Sequence, residues 1–165
     1  MTASLPYADL VGSQDPLSLL DSTPGRIAEL VRAWDARLWS TSYAPGKWTA
    51  AQLILHLTQD EIGWCNRVRL ALTVDGYVVQ PYDGDRWVVL ETPAHPATAL
   101  DAYLALRRLN MGLYTRIPPG RRARAFPHPE LGEISVDWIL QTLAGHDLHH
   151  LRHLQMIARA DRPPA

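Results

Sequence analysis

The stretch AGHDLHHLRHLQ, residues 144–155, places His146, His149, His150 and His153 within eight positions, over half of the seven histidines in the chain. It lies in a run over about 136–160 whose apolar residues recur at helical spacing, with Ser135 as the capping hydroxyl. At about 100° per residue, with His146 at zero, His150 falls near 40°, His153 near −20° and His149 near −60°. Ile139, Leu143, Leu154 and Ile157 occupy roughly 20–80° on the same wheel. His146 and His150 therefore sit inside the apolar stripe, one turn apart, with His149 and His153 nearer its edge. A buried polar group left unsatisfied costs about 1–3 kcal/mol. Two stacked imidazoles in a core need hydrogen bonds or a cation, and an i, i+4 pair lets two ring nitrogens converge on one ion.

A third ligand comes from upstream. In KWTAAQLILHLTQDE, residues 47–61, Thr49 and Gln52 have capping-box spacing and open a helix that runs to about Leu72. With His56 at zero, Asp60 falls near 40°, Gly63 near −20° and Arg67 near 20°. One reading of this row is a solvated strip beside the core. The functional reading makes His56 a ligand and Asp60 a further ligand or the acceptor of a ligand's N–H. Gly63 then leaves space, and Arg67 faces an anionic group of the substrate or pairs with Asp60. Cys65 falls about 180° from His56 and is offered neither as nucleophile nor as ligand.

Two more helices complete the set. Thr23 and Pro24 have the form of a cap and first position, which starts a helix over about 24–39. Another spans about 97–116. Residues 1–15, broken by Pro6 and Gly12, read as a loose lead-in. Residues 74–96 read either as a small hairpin around Asp83 and Gly84 or as a long crossover, whose Tyr82, Asp83, Asp85 and Trp87 read first as plain loop and second as lining of the pocket mouth. PPGRRARAFPHPELGE, residues 118–133, reads as a turn-rich loop with His128 exposed. At 1.5 Å per residue, His56 lies roughly 10 Å from the start of its helix and His150 roughly 15 Å from the end of its own. The heights match only if these helices are antiparallel. That requires one parallel connection, which the 74–96 segment can supply. The expected fold is an all-α four-helix bundle in up-down-down-up order, one domain over residues 1–165.

Composition narrows the function. A net charge of −1 gives no basic surplus for a phosphate backbone, so nucleic acid is not an expected partner. A single cysteine excludes an internal disulfide framework and fits a reducing compartment. The start, MTASLPYADL, lacks the basic and apolar regions of a signal peptide, and no apolar run approaches the roughly 20 residues of a membrane span. The expectation is a cytoplasmic protein.

The segments KWTAAQLILHLTQDE and HPELGEISVDWILQTLAGHDLHHLRHLQ resemble those of the DinB-like/YfiT-like superfamily, and the resemblance covers about residues 20–158. It implies a metal-binding four-helix bundle with one histidine on the second long helix and two on the fourth. The matching positions are His56, His146 and His150. It further implies a divalent ion, Ni2+ or Zn2+, and a homodimer. Among members it implies S-transferases that use low-molecular-weight thiols, hydrolases and isomerases acting on small molecules.

Three neutral imidazoles leave a divalent ion its full charge and open positions, which would acidify a bound water or thiol. Asp60 is the candidate to orient that nucleophile or act as base. Asp147 follows His146 where a zincin has glutamate, but it is rotated about 100° away and reads as an interhelical contact. Trp34, Trp48, Trp64 and Trp138 read as core or dimer-contact aromatics. The expected function is a metal-dependent thiol S-transferase or hydrolase. The alternatives are a non-catalytic metal-binding protein of the stress-response kind, and a bundle whose histidines only hydrogen-bond.

Overall fold

The computed structural model describes residues 3–160. In chain order they form α1 (Ala8–Val11), α2 (Pro16–Val31), α3 (Ala36–Trp39), α4 (Ala50–Thr73), α5 (Gly84–Glu91), α6 (Pro96–Tyr114), α7 (Pro119–Arg122), the strands β1 (Ala125–His128) and β2 (Gly132–Ser135), and α8 (Val136–Ala160). The four long helices pack in the cyclic order α2–α6–α4–α8.

Cross-contacts fix their directions. On α4 and α8, His56 meets His146 while Trp64 meets Trp138, so the two helices are antiparallel. Thr58 donates to the Ala99 carbonyl and Asn110 donates to Glu61, so α4 and α6 run the same way. On α2, Leu20 meets Arg107 and clusters with Tyr114, while Ile27 and Val31 cluster with Leu100 and Tyr103, so α2 runs opposite to α6. This is the up-down-down-up order expected from matching histidine heights, with the parallel step at residues 74–95.

The start of α4 has the predicted cap. Thr49 Oγ1 accepts from the Gln52 N–H at 3.3 Å, and Gln52 Oε1 accepts from the Thr49 N–H at 3.0 Å. The N-terminal helix departs from expectation. It begins at Pro16 under the cap of Asp15, whose Oδ2 accepts from the Ser18 N–H at 2.9 Å, and it ends at Val31. Pro24 therefore lies inside the helix, where it removes the hydrogen bond to the Leu20 carbonyl. That carbonyl accepts instead from Arg107 Nη1 at 2.9 Å, which is why a mid-helix proline is tolerated here.

Residues 74–96 form the crossover and not the hairpin. Asp83 is an N-cap, accepting from the Arg86 N–H at 3.1 Å, so the Asp-Gly pair opens α5 instead of turning a hairpin. The hairpin sits in the stretch expected to be loop, where Ala125 to His128 pair antiparallel with Gly132 to Ser135. Its turn explains His128, which is buried and not exposed. His128 Nδ1 accepts from the N–H groups of Glu130 and Leu131 at 3.2 and 3.3 Å. The lead-in is not uniformly loose either, since α1 packs on α8.

The core has two apolar clusters. One joins Leu19, Leu20, Val68, Tyr114, Trp138, Ile139 and Leu143; the other joins Ile27, Val31, Leu53, Ile54, Leu57, Leu100, Leu151 and Leu154. Each fully buried aliphatic side chain contributes about 1.5–3 kcal/mol. Between the clusters in sequence and in space lies a buried polar layer. Arg107 Nε donates to Glu61 Oε1 at 2.8 Å and Arg107 Nη1 to Asp147 Oδ2 at 2.7 Å. Asp147 is thus the interhelical contact the sequence suggested. Burial opposes the Arg107 charge, but Asp147, Tyr103 and Glu61 more than offset it and hold the guanidinium protonated.

Candidate metal centre

The same polar layer carries the histidines. His56 from α4 and His146 and His150 from α8 turn their Nε2 atoms to one point. His146 Nε2 lies 3.1 Å from that of His56 and 2.8 Å from that of His150. The donor atoms of all three lie within 4.8 Å of one another. His56 and His150 are buried, 9% and 6% exposed, so this is not a wet histidine face.

The donor set fits a divalent transition-metal ion. Nitrogens held about 2.0–2.1 Å from a tetrahedral ion sit about 3.3 Å apart, close to the spacings found. Coordination through Nε2 puts the proton on Nδ1 of each ring. The Nδ1 atoms of His56 and His146 are buried without a hydrogen-bond partner among the described residues. Asp60 Oδ2 lies 3.2 Å from His146 Nδ1, within ion-pair distance though outside hydrogen-bond geometry, and 3.6 Å from His56 Nε2. A carboxylate beside a ligand's free N–H is the usual device for fixing tautomer and orientation.

Asp60 has a second partner in Tyr82, which takes the pocket-mouth place that the sequence offers as the alternative to a plain loop. Tyr82 Oη donates to Asp60 Oδ1 at 2.6 Å. Burial, then Asp60, pushes the Tyr82 hydroxyl well above the ordinary tyrosine range, so it stays a donor. Gly63 makes this contact fit. A Cβ there would come within 2.6 Å of the Tyr82 ring, and the space attributed to Gly63 is filled by that ring. On the opposite wall Tyr7 lies at φ 60°, a left-handed conformation that strains a bulky residue by about 1–3 kcal/mol. Its Cβ rests against Gly145, where any side chain would clash.

A cavity of about 330 Å³ opens onto the cluster, lined by Tyr7, His56, Asp60, Trp64, Tyr82, Gly84, Trp138 and His146 among others. Its lining is mostly apolar, broken by the Asp60 carboxylate and the rings of His56 and His146. A larger cavity of about 580 Å³ lies between α3, the start of α4 and residues 92–97, but it holds none of the cluster. Arg67 does not line the smaller cavity. Its guanidinium sits over the rings of Trp64 and Tyr82, 4.6 and 4.8 Å from their centroids, and donates to the Gln80 carbonyl at 3.2 Å. It braces the Tyr82 wall and does not pair with Asp60. Cys65 faces away from the cluster, buried against Tyr114 and Glu61. Trp48, expected as a core or dimer-contact aromatic, packs its ring on His56 with centroids 4.6 Å apart.

Burial disfavours the charged form of His146 and His150. It lowers His146 to about 4, and it lowers His150 further, helped by His146 and His56. His149 and His153 are lowered too, chiefly by burial. Unfolded imidazoles accept protons near pH 6.5. The metal-free folded chain refuses them until about pH 4 at His146, so between these limits the unfolded state binds more protons. Stability of the metal-free protein therefore falls as pH drops through this window. His146 alone accounts for about 3 kcal/mol by its lower end. Urea midpoints that stay level from pH 7.5 to pH 5 would contradict this.

These features define a four-helix bundle with a buried three-histidine cluster suited to a divalent cation. The chain belongs to the DinB superfamily, whose family model matches residues 19–154. A protein of Oceanobacillus iheyensis named "putative metal-dependent hydrolase" is 33% identical over 120 residues, covering 72% of this chain and 70% of that protein. Among solved structures, YfiT from Bacillus subtilis, described as "a probable metal-dependent hydrolase with an unusual four-helix bundle topology", superposes with a TM-score of 0.82 at 24% identity, covering 88% of this chain and 85% of that one. A mycothiol-dependent maleylpyruvate isomerase superposes with a TM-score of 0.70 at 16% identity, over 96% of this chain and 70% of the isomerase. These two likenesses concern the fold. No helix among the described residues is long and apolar enough to cross a membrane.

Proposed function

We propose that this chain is a divalent-cation-dependent enzyme acting on a small molecule, either a hydrolase or a transferase that uses a low-molecular-weight thiol. The observation that carries it is the convergence of three imidazole Nε2 atoms beside the Asp60 carboxylate at the end of a cavity. A cation held by His56, His146 and His150, of the Zn2+ or Ni2+ kind, supplies the charge that makes a water or thiol acidic near neutral pH.

The chain's own residues do the rest. Tyr82 engages Oδ1 of Asp60, which leaves Oδ2 turned to the histidines and available to take a proton. Trp64, Trp138 and Leu143 supply apolar walls that favour a compact substrate and limit competing water. Cys65 is outside the cavity, so a thiol nucleophile has to arrive with the substrates. The names of the curated relatives support the hydrolase reading, and the isomerase neighbour motivates the thiol reading.

Turnover by the metal-loaded protein is the test, with ester and amide panels in one arm and a small thiol plus an electrophile in the other. Asp60→Asn lowers kcat by roughly 10²-fold or more while the cation stays bound. Activity in neither arm above that of His56→Ala would overturn the enzymatic reading. Full activity in Asp60→Asn would remove Asp60 from the chemistry.

A further inference from the structure

His149 and His153 take no part in the cluster just described, yet they are arranged like it. Their rings lie 4.3 Å apart at 72°, and those of His146 and His150 lie 4.3 Å apart at 77°. The two i, i+4 pairs repeat the same geometry on adjacent faces of α8. His150 stands between them. Its Nε2 faces His146, and its Nδ1 lies 3.4 Å from His153 Nδ1. One donor atom from each of His149, His150 and His153 falls within 4.8 Å of the others.

Both outer rings are held in place. Tyr43 stacks on His153 at 3.8 Å and 2° from parallel, and Tyr7 lies 5.0 Å from His149. Stacking of this kind reduces the rotamer freedom a ligand would otherwise lose on binding. Among the described residues no carboxylate or carbonyl takes either ring by hydrogen bonding. His149 and His153 are half-buried, as His146 is, whereas His56 and His150 are buried, so the outer trio has two partly exposed rings and the inner trio one.

We propose that His149 and His153, with Nδ1 of His150, form a second and shallower site for a transition-metal cation. Three imidazoles without a carboxylate suit zinc, nickel or copper ions and not magnesium or calcium. An ion at this site meets His149 and His153 first and takes His150 as its third ligand. When the inner site is also filled, His150 bridges the two ions and its Nδ1 proton passes to solvent. That added deprotonation makes the outer site the weaker of the two.

Titration of the untagged protein with Zn2+ alone, followed by equilibrium dialysis and calorimetry, tests this. Two equivalents are expected, one tight and one weaker. The His149→Gln/His153→Gln variant retains the tight one and loses the other, and the His56→Ala/His146→Ala variant does the reverse. Circular dichroism confirms that each variant is folded, and His149→Gln alone, which keeps a polar side chain beside Tyr7, weakens the second equivalent as a milder check. A single equivalent in the native protein that survives in His149→Gln/His153→Gln overturns the outer site. So does a second equivalent that survives in that variant, since it then binds elsewhere on the surface. One equivalent that disappears in His149→Gln/His153→Gln but persists in His56→Ala/His146→Ala keeps the outer site and defeats the inner one.

Discussion

Arg107→Met lowers the stability of the protein by about 3–5 kcal/mol, read from urea unfolding at pH 7.5. The side chain it replaces is only 2% exposed and ties all four long helices together. It donates to Glu61 on α4 and Asp147 on α8 from its place on α6, and it takes the Leu20 carbonyl that Pro24 leaves free on α2. Methionine keeps most of the volume but leaves two buried carboxylates facing each other without a cation. The penalty is mainly that of the stranded charges, because a buried ion pair itself contributes little net stability. Adding Glu61→Gln and Asp147→Asn to Arg107→Met therefore restores much of the loss. A single variant within about 1 kcal/mol of the native chain would show that the network is not organised as described.

His150→Ala removes cation-dependent stabilisation. At a free cation concentration a hundred times Kd, a native-state ligand adds about 2.7 kcal/mol. The native chain gains that increment in a thermal or denaturant melt, and His150→Ala does not, since two of its donors no longer close a three-point site. Activity in either arm of the turnover test falls to the metal-free level. His128→Ala, which disturbs a hairpin turn and no ligand, keeps the increment. Equal stabilisation of His150→Ala and native protein would exclude His150 as a ligand.

Much of the bundle could be read because its signals are local. The Thr49 cap, the apolar stripe of α8 and the 1.5 Å rise were enough to orient α4 against α8. The histidine row was visible for the same reason, since a helix fixes which residues share a face. Helix α2 was misplaced because Thr23–Pro24 has the form of a helix start. Only a distant arginine, filling the carbonyl that the proline vacates, makes it a helix interior. The Asp83–Gly84 pair looked like a turn for a similar reason, as caps and turns use the same residues. Tyr82 is legible only as a candidate for the pocket mouth, second to a plain loop, and Tyr7 not at all. Their places depend on Gly63 and Gly145, which allow close approach from segments far away in sequence. His128 was read as exposed because its burial comes from a hairpin that adjacent prolines disguised as loop. Arg67 was placed on the right stripe, but the approach of Tyr82 turns its charge to two rings and a carbonyl.

The most direct test of the three-histidine centre is metal analysis of the untagged native protein combined with X-ray absorption at the edge of the metal found. The geometry predicts one tightly held divalent ion per chain, with three imidazole nitrogens about 2.0–2.1 Å away if it is zinc. A purified protein that holds no stoichiometric metal and takes up none from micromolar Zn2+ or Ni2+, or an ion whose absorption spectrum shows no imidazole ligands, would contradict it.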